Sequence, residues 1–189
     1  MKSSHRIEGF SSFWSFGVDD DVPESSYRWT AEFADPAPIC TVLMKGCGEI
    51  LNPPQITCIF ETTSPIEDFP NIAPFVQVCS KRGRDFIIQN CPGNAQFIPV
   101  SAVDKNGLPM ENELFAINWL YRIDAVDMQR SLVYDRGGKN TLVNTVIDAN
   151  KVPSSVVIFR VLQEYGTIFC HNSFRKQYSN SKLSGLIFM

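Results

Sequence analysis

Apolar residues along this chain fall into short runs rather than long helical stripes. In the first third, the β-prone runs Phe10 to Phe16, Tyr27 to Phe33, Ile39 to Met44 and Ile56 to Thr62 alternate with segments rich in Asp or Pro. The breaks are Asp19-Asp20-Asp21-Val22-Pro23, Asp35-Pro36-Ala37-Pro38, Asn52-Pro53-Pro54 and Ser64-Pro65. Proline fixes φ and removes a donor from any sheet ladder, so these positions punctuate strands and interrupt helices. Strands joined by loops are predicted here, with no long helix.

The period changes after Pro70-Asn71-Ile72-Ala73-Pro74. Phe75, Val78, Cys79 and Arg82 stand three and four apart, Pro74 suits a first helical turn, and Gly83 or Asn90 can end it. This predicts a helix over residues 73–82, followed by a strand at Asp85 to Gln89. Gln96 to Val100 is a short strand leading into Asp104-Lys105-Asn106-Gly107, where Asn-Gly supplies the positive φ of a tight reversal. The second half is more regular: Glu113 to Ile123, Ser131 to Tyr134, Leu142 to Asp148, Val156 to Leu162 and Thr167 to Cys170 are β-rich, with Arg136 to Asn140 as a hairpin turn.

After Cys170 a helix is predicted near residues 172–182. Asn172 suits its N-cap, Phe174 and Tyr178 share one face, and Lys176, Asn180 and Lys182 lie away from it. It ends near Gly185, and Leu186 to Met189 closes the chain as an apolar strand that needs a partner inside a sheet. The pattern specifies an α+β fold, a mostly antiparallel sheet with a few short helices. The chain reads as a single domain over residues 1–189, or as two halves, 1–105 and 106–189.

Composition narrows the class. At 189 residues the chain is long enough to bury a substantial core, and 44% apolar with 20% charged residues is ordinary for a globular protein. Residues 1–9 lack the apolar run of a signal peptide, and no stretch approaches the roughly 18 apolar residues of a spanning helix. A cytoplasmic location is therefore expected, with no membrane partner. Cys40, Cys47, Cys58, Cys79, Cys91 and Cys170 include no C-x-x-C pair and read as small buried hydrophobes in a reducing compartment. A net charge of −3 argues against a nucleic-acid partner and suits a basic one, though weakly.

Candidate chemistry is sparse. His5 and His171 are the two histidines. Cys170 beside His171 resembles a thiol and base, but adjacent residues on a strand point to opposite faces. The cysteine spacings match none of the usual zinc ligand pairs. No catalytic, cofactor-binding or metal-ligating residue is expected. Gly46-Cys47-Gly48 and Arg136-Gly137-Gly138-Lys139 lack the context of phosphate loops and count as turns.

Asp124 and Asp127 are three apart, with Arg130 three further on. They either present acids to a cation or basic partner, or cap and turn the chain with their side-chain oxygens. Arg160, in an apolar strand, either pairs with Asp124 or Asp127 or faces water. Phe10, Phe13, Trp14, Phe16, Tyr27, Trp29 and Phe33 form an aromatic set, by default core.

The second half also carries a familiar order of short segments. They run Phe97-Ile98-Pro99-Val100, Asp104 to Gly107, Phe115 to Leu120, Ile123 to Asp127, Arg130-Ser131, Val146-Ile147-Asp148, Val152-Pro153, Ile158-Phe159-Arg160 and Leu183 to Phe188. Over about residues 70–189 this order resembles the immunity protein 11 family of bacterial polymorphic toxin systems; the first 65 residues show no such likeness. The resemblance implies a non-enzymatic protein that binds a cognate toxin in the cytoplasm and covers its active site. Asn118, Asp124, Asp127, Arg130 and Arg160 match the family pattern most closely, which suits residues that shape the fold. Partner contacts are then expected in the N-terminal acidic run, Asp19, Asp20, Asp21 and Glu24, facing a basic toxin site. The competing readings are a small enzyme with a site near Asp124 and Asp127, and a structural adaptor subunit.

Overall fold

The computed structural model describes residues 13–18, 31–35, 42–43, 48–60, 66–73, 76–135 and 140–188. In chain order the strands are β1 (Phe13–Val18), β2 (Ala31–Phe33), β3 (Ile56–Phe60), β4 (Ile72–Ala73), β5 (Val78–Ser80), β6 (Ala95–Asp104) and β7 (Leu114–Trp119). They continue as β8 (Arg122–Ile123), β9 (Leu132–Asp135), β10 (Asn140–Asn144), β11 (Ile158–Val161), β12 (Glu164–His171) and β13 (Leu186–Phe188). Among the described residues two complete α-helices accompany them, α1 (Lys81–Asn90) and α2 (Asn172–Ser181).

One sheet has the order β4-β2-β3-β6-β7-β5 and a second the order β13-β1-β12-β11-β8, while β9 and β10 form a separate two-stranded ribbon. The β2–β4, β3–β6 and β8–β11 pairs are parallel. The other pairs are antiparallel. The fold is thus α+β with sheets that are mostly antiparallel. β1 runs between β12 and β13, with Phe13 opposite His171 and Val18 opposite Leu186. The apolar end of the chain therefore has its ladder partner.

The first helix is not where the apolar spacing puts it. Val78, Cys79 and Ser80 are extended and pair with Ala116, Phe115 and Leu114 of β7, and the Ile117 N–H donates to the Gln77 carbonyl at 2.8 Å. α1 starts at Lys81 because Ser80 caps it: the Ser80 backbone is extended and its Oγ accepts from the Gly83 N–H at 3.1 Å. Tertiary pairing overrides local spacing here. Asp85 to Gln89, expected as a strand, lies inside α1 with Ile87 facing the core. Pro74 and Phe75 lie outside the described residues, as does most of the run Ile39 to Met44, of which Val42 and Leu43 are helical rather than extended. α2 falls where it is expected, but His171 caps it instead of Asn172, its Nδ1 accepting from the Ser173 N–H at 3.2 Å.

Three apolar clusters share the strands between them. Phe33, Leu43, Ile56, Phe60, Val78, Leu114 and Ala116 form the first. Phe69, Ile87, Ile117, Trp119, Ile158, Phe174, Tyr178 and Leu186 form the second, where Phe86 of α1 meets Phe174 of α2 at 5.4 Å between ring centroids. Ala125, Val126, Phe159, Val161 and Phe169 form the third. Because side chains alternate along a strand, β11 sends Ile158 into the second cluster and Phe159 and Val161 into the third. Burial of these side chains is the main favourable contribution to the fold.

The reversal at residue 107 forms as its Asn-Gly pair requires, with Gly107 at φ 79°. Asp104 Oδ1 accepts the N–H groups of Asn106 at 2.8 Å and Leu108 at 2.9 Å. Those bonds, led by the one from Leu108, hold the Asp104 carboxyl below its ordinary pKa. A folded-state pKa below the unfolded one means the contribution is present above the ordinary carboxylate range and is lost as pH falls through the folded value. Asp104→Asn should therefore lower stability at neutral pH. The gap to the parent should close in acid, as denaturant midpoints measured from pH 7 down to pH 2 would show.

Candidate functional site

Among the described residues, those singled out by their pattern are not brought together into one site. Asp19, Asp20, Asp21 and Glu24 lie outside the described residues, as do all members of the aromatic set except the strand residues of β1 and Phe33, the latter buried in the first cluster. Asn118 is fully buried on β7, where its Nδ2 donates to the Gly48 carbonyl at 2.9 Å and to Gln96 Oε1 at 3.0 Å. Gln96 in turn exchanges two 2.9 Å bonds with the backbone of Ile50. Asn118 and Gln96 thus hold residues 48–50 across the β6–β7 pair.

Arg160 pairs with neither Asp124 nor Asp127, and it does not face water. It is 3% exposed, and its Nη1 donates to the Leu43 carbonyl. Both aspartates are engaged elsewhere. Asp124 is exposed and accepts from the Gln163 side chain. Asp127 Oδ1 accepts the N–H groups of Gln129 and Arg130 at 3.1 Å each, and its Oδ2 lies 3.7 Å from the Arg130 guanidinium. Asp127 is the turn-forming residue of the two readings, with its oxygens on backbone donors.

That turn stands at the root of the ribbon. Val126 bridges to Ile147, the Asp127 N–H donates to the Val146 carbonyl, and the Asp148 N–H donates to the Ala125 carbonyl, both at 2.8 Å. The ladder then continues outward as β9 and β10. Ala125, Val126, Leu142 and Ile147 pack into the third cluster, while Met128 is 48%, Leu132 60% and Tyr134 62% exposed. Leu132 and Tyr134 are two apart and so share the outward face. A two-stranded ribbon with apolar side chains on its solvent face is marginal alone, and exposed Tyr and Met are side chains enriched where proteins meet a protein partner. Sequence reasoning passed over these three residues. The signal was present in Leu132-Val133-Tyr134, an uninterrupted apolar run where a half-solvated strand would alternate with polar residues.

Among the described residues, Cys170 and His171 do not form a thiol and base pair. Cys170 is fully buried, and His171, on the next residue of β12, is exposed and engaged at the start of α2. Burial pushes the thiols of Cys58 and Cys91 up to about 12 and that of Cys79 higher still. Among the described residues, no three His, Cys, Asp or Glu side chains gather as metal ligands, and no helix is long and apolar enough to cross a membrane.

The model of an immunity protein family, Imm11, matches residues 21–189. The match reaches well beyond the 70–189 stretch in which the resemblance is legible by eye and takes in Asp21 and Glu24. No curated protein matches the chain. With a family match that spans most of its length, this chain belongs to the Imm11 immunity protein family.

Proposed function

We propose that this protein neutralises one cognate toxin by binding it in a stoichiometric protein–protein complex, without catalysis, in the cytoplasm of the cell that makes it. Membership of the immunity family over residues 21–189 is the observation that carries this reading. The ribbon supports it, because Met128, Leu132 and Tyr134 offer apolar contact area next to the polar Asp127–Arg130 turn. An apolar centre with a polar rim is how stable protein interfaces are composed. The acidic run Asp19, Asp20, Asp21 and Glu24 is proposed as a second contact, placed against a basic toxin site. The turn reading of Asp127 and the Gln163 bond of Asp124 support a binding role over the enzyme reading.

Co-expression with the toxic domain encoded beside the gene tests the proposal. The expected outcome is restored growth together with co-purification of the two proteins. Reversing the charges of Asp19 to Asp21 should weaken the complex, and unchanged affinity would remove those residues from the interface. Toxicity that persists in the presence of the folded chain would contradict the reading.

A further inference from the structure

Arg160 lies in mid-sheet on β11, with β12 on one side and β8 on the other. Its neighbours Ile158, Phe159 and Val161 are all buried, and it is itself 3% exposed. A guanidinium carries five N–H donors. Of these, Nη1 donates to the Leu43 carbonyl, whereas Nε is buried with no acceptor. The ion pairs among the described residues involve Lys81, Arg82, Arg84 and Arg130, so no described carboxylate neutralises Arg160.

A second cation stands beside it. Arg122 is in register with Arg160 across the parallel β8–β11 pair. Its Nε and Nη2 donate to the carbonyls of Val161 at 3.3 Å and Leu162 at 3.4 Å. Burial, and then the Arg122 charge, push the Arg160 pKa down to about 10, which still leaves the side chain charged at neutral pH. Like charges facing each other on neighbouring strands are unfavourable, and so is a buried cation whose acceptor among the described residues is a neutral carbonyl. Arginine is the side chain best suited to grip a carboxylate or phosphate with two parallel N–H bonds, and charged acceptors bind it about twice as strongly as neutral ones.

From this arrangement we propose that Arg160, with Arg122 beside it, is a receptor for one oxyanion that takes the place of the Leu43 carbonyl and gives Nε its missing acceptor. The chemistry is that of a phosphate or a carboxylate. The site lies on β8 and β11 rather than on the β9–β10 ribbon.

The test uses the full chain with ¹⁵N-labelled arginine. The Arg160 Nε–H signal is followed while inorganic phosphate, and separately acetate, is added, with chloride at equal ionic strength as the control. A saturable downfield shift of that proton is expected, with a rise in unfolding temperature that saturates at the same anion concentration. Arg122→Gln should weaken the binding by about tenfold, as removal of one charged partner predicts. A response to phosphate alone assigns the site to a phosphate-bearing small molecule. A response to acetate as well assigns it to carboxylates, including those of a bound protein. An Arg160 signal that moves no further in phosphate and acetate than in chloride overturns the proposal.

Discussion

Gly185→Ala is expected to destabilise the protein by more than about 3 kcal/mol, a large part of the roughly 5–15 kcal/mol that holds a domain folded. Gly185 has φ 97°, and a Cβ there would sit 2.1 Å from the Phe69 carbonyl oxygen and 2.8 Å from its carbon. Backbone atoms cannot step aside as a flexible side chain can. These two segments are also tied together. The Phe69 N–H donates to the Ser184 carbonyl at 3.1 Å, the Asp68 N–H to Ser184 Oγ at 3.2 Å, and the Ser184 N–H to Asp68 Oδ2 at 3.3 Å. Room for a methyl group can come only from breaking this clamp, which would lift Leu186 from the second cluster and β13 from β1. Urea unfolding should show a lower midpoint, and amide exchange at residues 186–188 should accelerate. Gly107→Ala is the control: its φ is also positive, but nothing lies within 4 Å of an added Cβ, so only about 1 kcal/mol of backbone strain is expected.

Asn94→Ala should cost about 2–6 kcal/mol, because it leaves two donors without their acceptor, each worth about 1–3 kcal/mol. Asn94 is 1% exposed and lies between the end of α1 and the start of β6. Its Oδ1 accepts the Val157 N–H at 2.7 Å and the Ile158 N–H at 3.0 Å, and its Nδ2 donates to the Pro92 carbonyl at 3.1 Å. Its own carbonyl accepts from the Leu120 N–H at 3.0 Å. One side chain thus joins the start of β6, an interior strand of one sheet, to the start of β11, an interior strand of the other. The measurement is the urea midpoint at constant m-value, since the change removes bonds without altering the surface exposed on unfolding. A loss below about 0.5 kcal/mol would mean that these N–H groups find other acceptors, and that Asn94 is not the joint between the sheets.

How far the fold can be read from the residues depends on whether the signal is local. β3 and α2 are legible because their patterns are self-contained, alternation in Ile56 to Phe60 and Phe174 with Tyr178 on one helical face, whereas β6 is legible only as Gln96 to Val100 and in fact runs on to Asp104. α1 is misplaced because its start depends on two things that spacing does not show. One is the pairing of Val78 to Ser80 with β7; the other is the Ser80 hydroxyl, which accepts from Gly83 and donates to Asp68 Oδ1 at 2.8 Å. Arg160 is harder still. A charge in an apolar strand is visible in the sequence, but its partner is a backbone carbonyl 117 residues away, and carbonyls carry no residue signature. The acids nearest to it in pattern, Asp124 and Asp127, are taken up by Gln163 and by the 127–130 turn.

The interaction surface shows the same division. The turn chemistry of Asp127 follows from its type and spacing, as the bonds to Gln129 and Arg130 show. The outward placement of Leu132 and Tyr134 does not, because apolar residues in a β-prone run read as core until the ladder partners are known. Only the register of β9 on β10, with Leu142 turned toward the third cluster, puts the other side of the ribbon in solvent.

The most direct test of the central claim is an inhibition titration of the purified cognate toxin with this protein, at a toxin concentration far above the dissociation constant. Stoichiometric binding predicts a linear fall in toxin activity that ends at one equivalent, with a one-to-one complex recovered at the end point. Full inactivation by a small fraction of an equivalent, growing with time, would show turnover and contradict the account, as would no inhibition at several equivalents.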